Sequence, residues 1–147
     1  MASLTNKTAL VTGASRGIGR ATASALADAG AHVLVHYGHS AQDAESIVAD
    51  IRSKGGRADA VRADLGTPDG ATLLAKEVRS IVGERLDVLV SNAGISKAAT
   101  IKDHTVEDFD NLFATNVRSP FFLVQQPCPS SVRARASLRS HRLGRTP

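Results

Sequence analysis

Thr12-Gly13-Ala14-Ser15-Arg16-Gly17-Ile18-Gly19 is the stretch that decides the fold. A short apolar run, Thr8–Val11, leads into it. Ile18, Ala21, Ala25, Leu26 and Ala29 then recur at helical spacing until Gly30 supplies a stop. A strand that runs through a glycine-rich turn into a helix makes an anion site. Free backbone N–H groups and the positive end of the helix dipole point at the same spot. Glycines let the backbone bend sharply and approach a ligand closely. The spacing is G-x3-G-x-G, not the G-x-G-x-x-G of the best-known dinucleotide fingerprint.

Outward from this turn, strand and helix signals alternate. His32–His36 is a second strand, and Ser40 caps a helix with the apolar stripe Ala44, Ile47, Val48 and Ile51, ended by Gly55-Gly56. Arg57–Ala63 is the weakest strand signal. Thr67-Pro68 reads as an N-cap with proline at the first helical position. The helix it opens would bury Ala71, Leu74, Val78 and Ile81 and close at Gly83. Leu86–Val90 predicts a buried strand that ends in Ser91-Asn92-Ala93-Gly94. Thr105 and Asp108 form a capping-box pattern at the head of a helix over 105–124, with Val106, Phe109, Leu112, Phe113 and Val117 on one stripe. This alternation predicts an α/β fold, a doubly wound parallel sheet of Rossmann type, truncated after the fourth strand and the long helix that follows.

Composition bounds the rest. The chain has 147 residues and a net charge of +4. Residues 127–147 hold five arginines and no acid, which leaves 13 basic against 14 acidic residues in 1–126. The reading is therefore a dinucleotide-binding half-domain over 1–126 and an irregular basic tail over 127–147. That tail is either disordered or an out-of-frame continuation. It has no aromatic residue for base stacking, which argues against a nucleic-acid partner. No apolar run is long enough to cross a membrane. Met1–Lys7 is too short and polar for an export signal, and Cys128 is a lone cysteine, so the expectation is a cytoplasmic protein with no disulfide and no metal site.

Thr12–Gly19 resembles the TGxxxGxG cofactor loop of the short-chain dehydrogenase/reductase family. Ser91–Gly94 resembles that family's NNAG motif, with serine for the first asparagine. The resemblance runs from about Lys7 to Gln126 and is similar to 3-oxoacyl-carrier-protein reductases and glucose dehydrogenases. It implies a nicotinamide dinucleotide as cofactor. It places cofactor contacts at Gly13, Ser15, Arg16, Gly17, Ile18 and Gly19, then at Tyr37, His39 and Ser40 after the second strand. Asp64 and Leu65 follow the third strand, and Asn92, Ala93 and Gly94 the fourth. Asp64 would accept from the adenine amino group, although it is also placed to cap a helix. Asn116 corresponds to the asparagine of the catalytic tetrad, which helps hold a water of the proton relay. Its spacing from Phe109 and Phe113 puts it on their stripe, where a buried amide needs partners. Ile95, Ser96 and Lys97 would border the pocket.

Charge argues the cofactor type. An acid at the end of the second strand would bind the ribose hydroxyls of NAD and repel a 2′-phosphate. His36-Tyr37-Gly38-His39-Ser40 has none, and Arg16 corresponds to the basic residue that NADP-preferring members use. NADP(H) is preferred, with NAD(H) left open.

The family's reaction is hydride transfer between the nicotinamide and a small-molecule carbonyl or alcohol. It needs a serine and a Tyr-x-x-x-Lys pair, whose lysine lowers the tyrosine pKa so that it can pass a proton. The only tyrosine is Tyr37, and four residues later stands Ala41. The expectation is a truncated reductase, inactive alone, whose intact parent is a homo-oligomer. The alternative is an NADP-binding or interaction module that pairs with a full-length relative.

Overall fold

The structure is a computed structural model and describes residues 3–126; the 127–147 tail lies outside the described residues. Four parallel strands, β1 (Thr8–Val11), β2 (His32–Tyr37), β3 (Arg57–Arg62) and β4 (Val88–Val90), lie in the order β3-β2-β1-β4. The helices between them are α1 (Gly17–Asp28), α2 (Ala41–Ser53) and α3 (Gly70–Val82). After β4 come α4 (Val106–Phe113), a π-helical turn over Ala114–Arg118, and α5 (Ser119–Gln125). Beyond β1 the chain first builds outward on one side (β2, β3) and then returns to the other (β4), so the switch point lies between β1 and β4.

Strand alternation sorts the core into two layers. Ala9 and Val11 of β1, with Val33 and Val35 of β2, pack against Ala23 and Ala27 of α1 and Ile47, Val48 and Ile51 of α2. Leu10 and Leu34 point to the other layer, with Leu74 and Val78 of α3 and Leu123 of α5. The register pairs Leu10 with Leu34 on one side and Leu89 on the other. At the lower end Asp87 staples β4 to β1, accepting from the Thr8 N–H at 2.9 Å and from Lys7 Nζ at 3.0 Å. Burial alone would raise the Asp87 carboxyl; the Thr8 N–H, Lys7 and Arg85 outweigh it and hold it below the usual carboxylate range.

Several sequence expectations change. The sheet-facing side of α1 is Gly19, Ala23 and Ala27, while Ile18 is 72% exposed. The predicted stripe was out of phase because the smallest residues, not the most apolar, meet the sheet where helix and strand approach most closely. The third helix starts at Gly70 with Asp69 as its N-cap; Thr67 instead turns back, its hydroxyl donating to the Asp64 carbonyl at 2.9 Å. Ile81 lies at that helix's margin rather than in its buried face. β4 is three residues long and half-buried, with β1 as its one partner among the described residues. The long helix over 105–124 is broken by the π turn, and Val106, Phe109, Phe113 and Val117 are exposed. Ala44, Ile47, Val48 and Ile51 form the buried face of α2, as the spacing implies.

Candidate cofactor site

The glycine loop occupies the carboxyl end of β1, beside the end of β4. Thr12 carries the join. Its hydroxyl is buried and accepts the N–H groups of Asn92 and Ala93, each at 2.9 Å. Asn92 returns the favour through its side chain: Nδ2 donates to the carbonyls of Thr12 at 3.0 Å and Gly13 at 3.1 Å. Two carbonyls that would otherwise crowd the mouth of the loop are thereby turned toward β4. The first N–H groups of α1 have no partner within the helix.

Three glycines have three different reasons. Gly13 has φ +62°, and a Cβ there would come within 2.9 Å of the Ala93 Cα. At Gly19 a Cβ would collide with the Gly13 carbonyl oxygen and with Asn92 Nδ2. Gly17 has φ +56° and open space beyond it. The loop is thus closed against the sheet at Gly13 and Gly19 and open outward at Gly17. Arg16, extended at the N-cap of α1, is exposed beside it, as is Ile18; Ser15 is buried.

The other expected contacts stand at the same edge of the sheet. Tyr37 packs partly into the α1–α2 layer, His39 is exposed, and Ser40 is the N-cap of α2 without a side-chain cap bond. Asp64 is exposed and its Oδ1 accepts the Gly66 N–H at 2.8 Å, so it closes a local turn rather than capping α3. Leu65 has its side chain in the core at 6% exposure, which leaves its backbone alone for a ligand, and its carbonyl accepts from Ser119 Oγ. Arg118 Nη2 donates to the neighbouring Gly66 carbonyl at 2.7 Å. Together Arg118 and Ser119 dock the end of the π turn onto the loop after β3.

Asn116 is exposed, not buried as its spacing suggested, because the stripe it shares with Phe109, Phe113 and Val117 is itself exposed. It still finds two partners. Its Oδ1 accepts the Ile95 N–H and its Nδ2 donates to the Ile95 carbonyl, both at 2.8 Å. Gly94 lies beneath it, where a Cβ would reach within 3.3 Å of Oδ1. Lys97 is held by Asp108 at 2.6 Å, and Asp108 also completes the reciprocal cap with Thr105. Lys97 first, then the Thr105 N–H, push the Asp108 carboxyl down to about 2. No group of three His, Cys, Asp or Glu that could hold a metal occurs among the described residues, and no helix there is long and apolar enough to cross a membrane.

Two residues of this edge were quoted in the sequence without a role. Thr12 is one. His36 is the other: 2% exposed, it accepts the Gly13 N–H on Nδ1 at 3.0 Å and lies 3.0 Å from the Ala63 carbonyl through Nε2. Burial pushes its pKa below the ordinary 6.5, against the upward pull of the Ala63 carbonyl. The signal for Thr12 was a hydroxyl at a strand end just before a glycine; for His36 it was a ring inside an apolar strand.

Known proteins share this arrangement. The short chain dehydrogenase family matches residues 7–137, eleven residues beyond Gln126. Versicolorin reductase 1 of Aspergillus parasiticus is 46% identical over 124 residues, covering 84% of this chain and 47% of that protein. The 3-oxoacyl-[acyl-carrier-protein] reductase FabG of Staphylococcus epidermidis is 40% identical over 131 residues, 89% of this chain and 53% of that one. Among solved structures, the angucycline C-6 ketoreductase LanV with bound NADP superposes with a TM-score of 0.81 at 45% identity, over 84% of this chain and 50% of that one. The chain spans about half the length of these relatives. On the match over residues 7–137 and these identities, the chain belongs to the short chain dehydrogenase family.

Proposed function

We propose that this chain is the NADP-binding half of a carbonyl reductase. The observation that carries the reading is the Asn92 amide on the Thr12 and Gly13 carbonyls, which ties the glycine loop at the head of α1 to the end of β4. The cradle fits a pyrophosphate: Gly13 and Gly19 let the loop close against Ala93 and Asn92, Gly17 leaves its outer side open, and the head of α1 supplies the dipole. Arg16 stands exposed next to the loop, and His36–Ser40 offers no carboxylate to a ribose, so a 2′-phosphate is favoured. LanV, so similar here, is described with NADP bound. Asp64 is assigned to the adenine side, and Ala93-Gly94 to the nicotinamide side, where no bulky side chain stands between a flat ring and the backbone.

When bound, the nicotinamide supplies or accepts the hydride. This chain's own residues bind and orient. Asn116 holds the loop after β4 through Ile95, and its role toward a relay water is part of the proposal. The 147 residues hold no Tyr-x-x-x-Lys to protonate a carbonyl oxygen, so ketone reduction is assigned to an intact, cytoplasmic, homo-oligomeric parent rather than to this chain. Titrating the chain with NADPH while following nicotinamide fluorescence tests both halves of the reading. Saturable binding with no ketone-dependent loss of absorbance is expected. A folded chain that ignores NADPH overturns the cofactor assignment, and ketone-dependent oxidation overturns the inactivity.

A second reading rests on β4, which pairs on one side only among the described residues, beside an apolar recess lined by Leu10, Val78, Leu86, Leu89 and Leu123. An open strand edge next to apolar surface suits an interaction module that pairs with a full-length relative. Co-expression with such a relative, followed by size-exclusion chromatography with light scattering, separates a mixed complex from a lone chain.

A further inference from the structure

We infer that His36 is a positioning residue that fastens the glycine loop, and does so as the neutral Nε2–H tautomer. The inference rests on the cofactor reading of that loop. The tautomer follows from its partners. A backbone N–H can only donate, so Nδ1, facing Gly13, is the bare nitrogen; a carbonyl can only accept, so Nε2, facing Ala63, carries the proton. Main-chain bonding adds a third tie, the Ala14 N–H donating to the His36 carbonyl at 2.9 Å.

Gly13 is thereby pinned from two sides. Its N–H goes to His36 and its carbonyl accepts from Asn92, so the N–H is not spare for a ligand. Its function is to fix the direction in which the loop leaves β1, at a φ of +62° that needs holding. The ring also spans from the loop after β1 to Ala63, the residue before Asp64. The Ala63 arm orients the ring, and the Gly13 arm holds the loop. A shorter amide would reach one of these partners but not both.

That difference supplies the test. His36→Asn puts an acceptor where Nδ1 stands and loses the arm to Ala63. His36→Gln places its amide near Ala63 and loses the arm to Gly13. Both remove one hydrogen bond and lower the melting temperature. NADPH affinity is expected to stay within about threefold for H36N and to fall about tenfold for H36Q, the worth of one such bond. Equal losses in the two variants would reduce His36 to a packing residue and overturn the inference. The ligand-free chain gives an independent readout: nitrogen-15 shifts of the imidazole should show a bare Nδ1, and Gly13 amide exchange should quicken in H36Q but not in H36N. If the unsubstituted chain fails to bind NADPH, the cofactor reading falls, and the exchange measurement still decides whether His36 fastens Gly13. A protonated Nδ1 or unchanged Gly13 exchange in H36Q overturns it.

Discussion

Asn116 meets the Ile95 backbone as a neighbouring strand would, accepting its N–H and donating to its carbonyl, both at 2.8 Å. A side chain thus pairs with the backbone past β4, where the described residues hold no further strand. Only an amide can give both bonds, because one arm must accept and the other donate. Asn116→Asp keeps the acceptor and sets a second oxygen against the Ile95 carbonyl. It is expected to lower stability by about 1 kcal/mol and to speed amide exchange at Ile95. An unchanged exchange rate would show that the pairing does not hold the loop.

Thr12 makes a sharper prediction, since its hydroxyl serves two buried-side N–H groups from Asn92 and Ala93. Thr12→Val preserves shape but leaves both donors without an acceptor, at a cost of about 2 kcal/mol or more. Thr12→Ser keeps the oxygen and should recover most of that loss. Thermal unfolding of the pair checks the order; equal melting points would contradict it.

Substitution to alanine should rank the loop glycines. Gly19→Ala drives a methyl into the Gly13 carbonyl and Asn92, and is expected to abolish NADPH binding and unfold the head of α1. Gly17→Ala meets no atom within 4 Å, so only its φ of +56° is penalised, at about 1 kcal/mol. Circular dichroism melts and NADPH titration of both variants test the ranking.

Arg16→Ala is expected to weaken NADPH about tenfold and leave NADH within twofold, the size of one charge-assisted hydrogen bond. Equal losses for the two cofactors would move the 2′-phosphate elsewhere.

The pH dependence has a definite sign. His36 is favoured neutral in the fold, so below its ordinary 6.5 the unfolded chain takes up a proton that the folded chain resists. Stability is full above 6.5 and declines as the pH falls from there toward the lowered native value. Asp108 acts in a lower window: its contribution is present above 3.8 and lost as the pH falls toward about 2. Melting temperatures measured from pH 8 to 4 should drop first near 6.5, and His36→Asn should remove that first step.

The sheet and the position of the site were legible because their signals are local. A valine-rich strand, a glycine turn and a helix stop each declare themselves within a dozen residues, and α2 matched its stripe residue for residue. What escaped were properties set by partners distant in sequence. The face of α1 depends on how near Asn92 brings the sheet, which no period in residues 17–28 can reveal. Asn116 is exposed because its whole stripe, Phe109, Phe113 and Val117, faces away from the core, which helical period alone cannot tell from a buried face. His36 looked like one more strand residue, since both its partners, Gly13 and Ala63, lie more than twenty positions away.

The small face of α1 has a consequence for how the protein tolerates change. Gly19, Ala23 and Ala27 line the gap between helix and sheet, and the same gap sets where the head of the helix would meet the proposed pyrophosphate. Volume added to that face pushes the dipole off target, so packing and affinity cannot be tuned separately there. A screen for thermal resistance and a screen for cofactor retention should therefore return the same three positions.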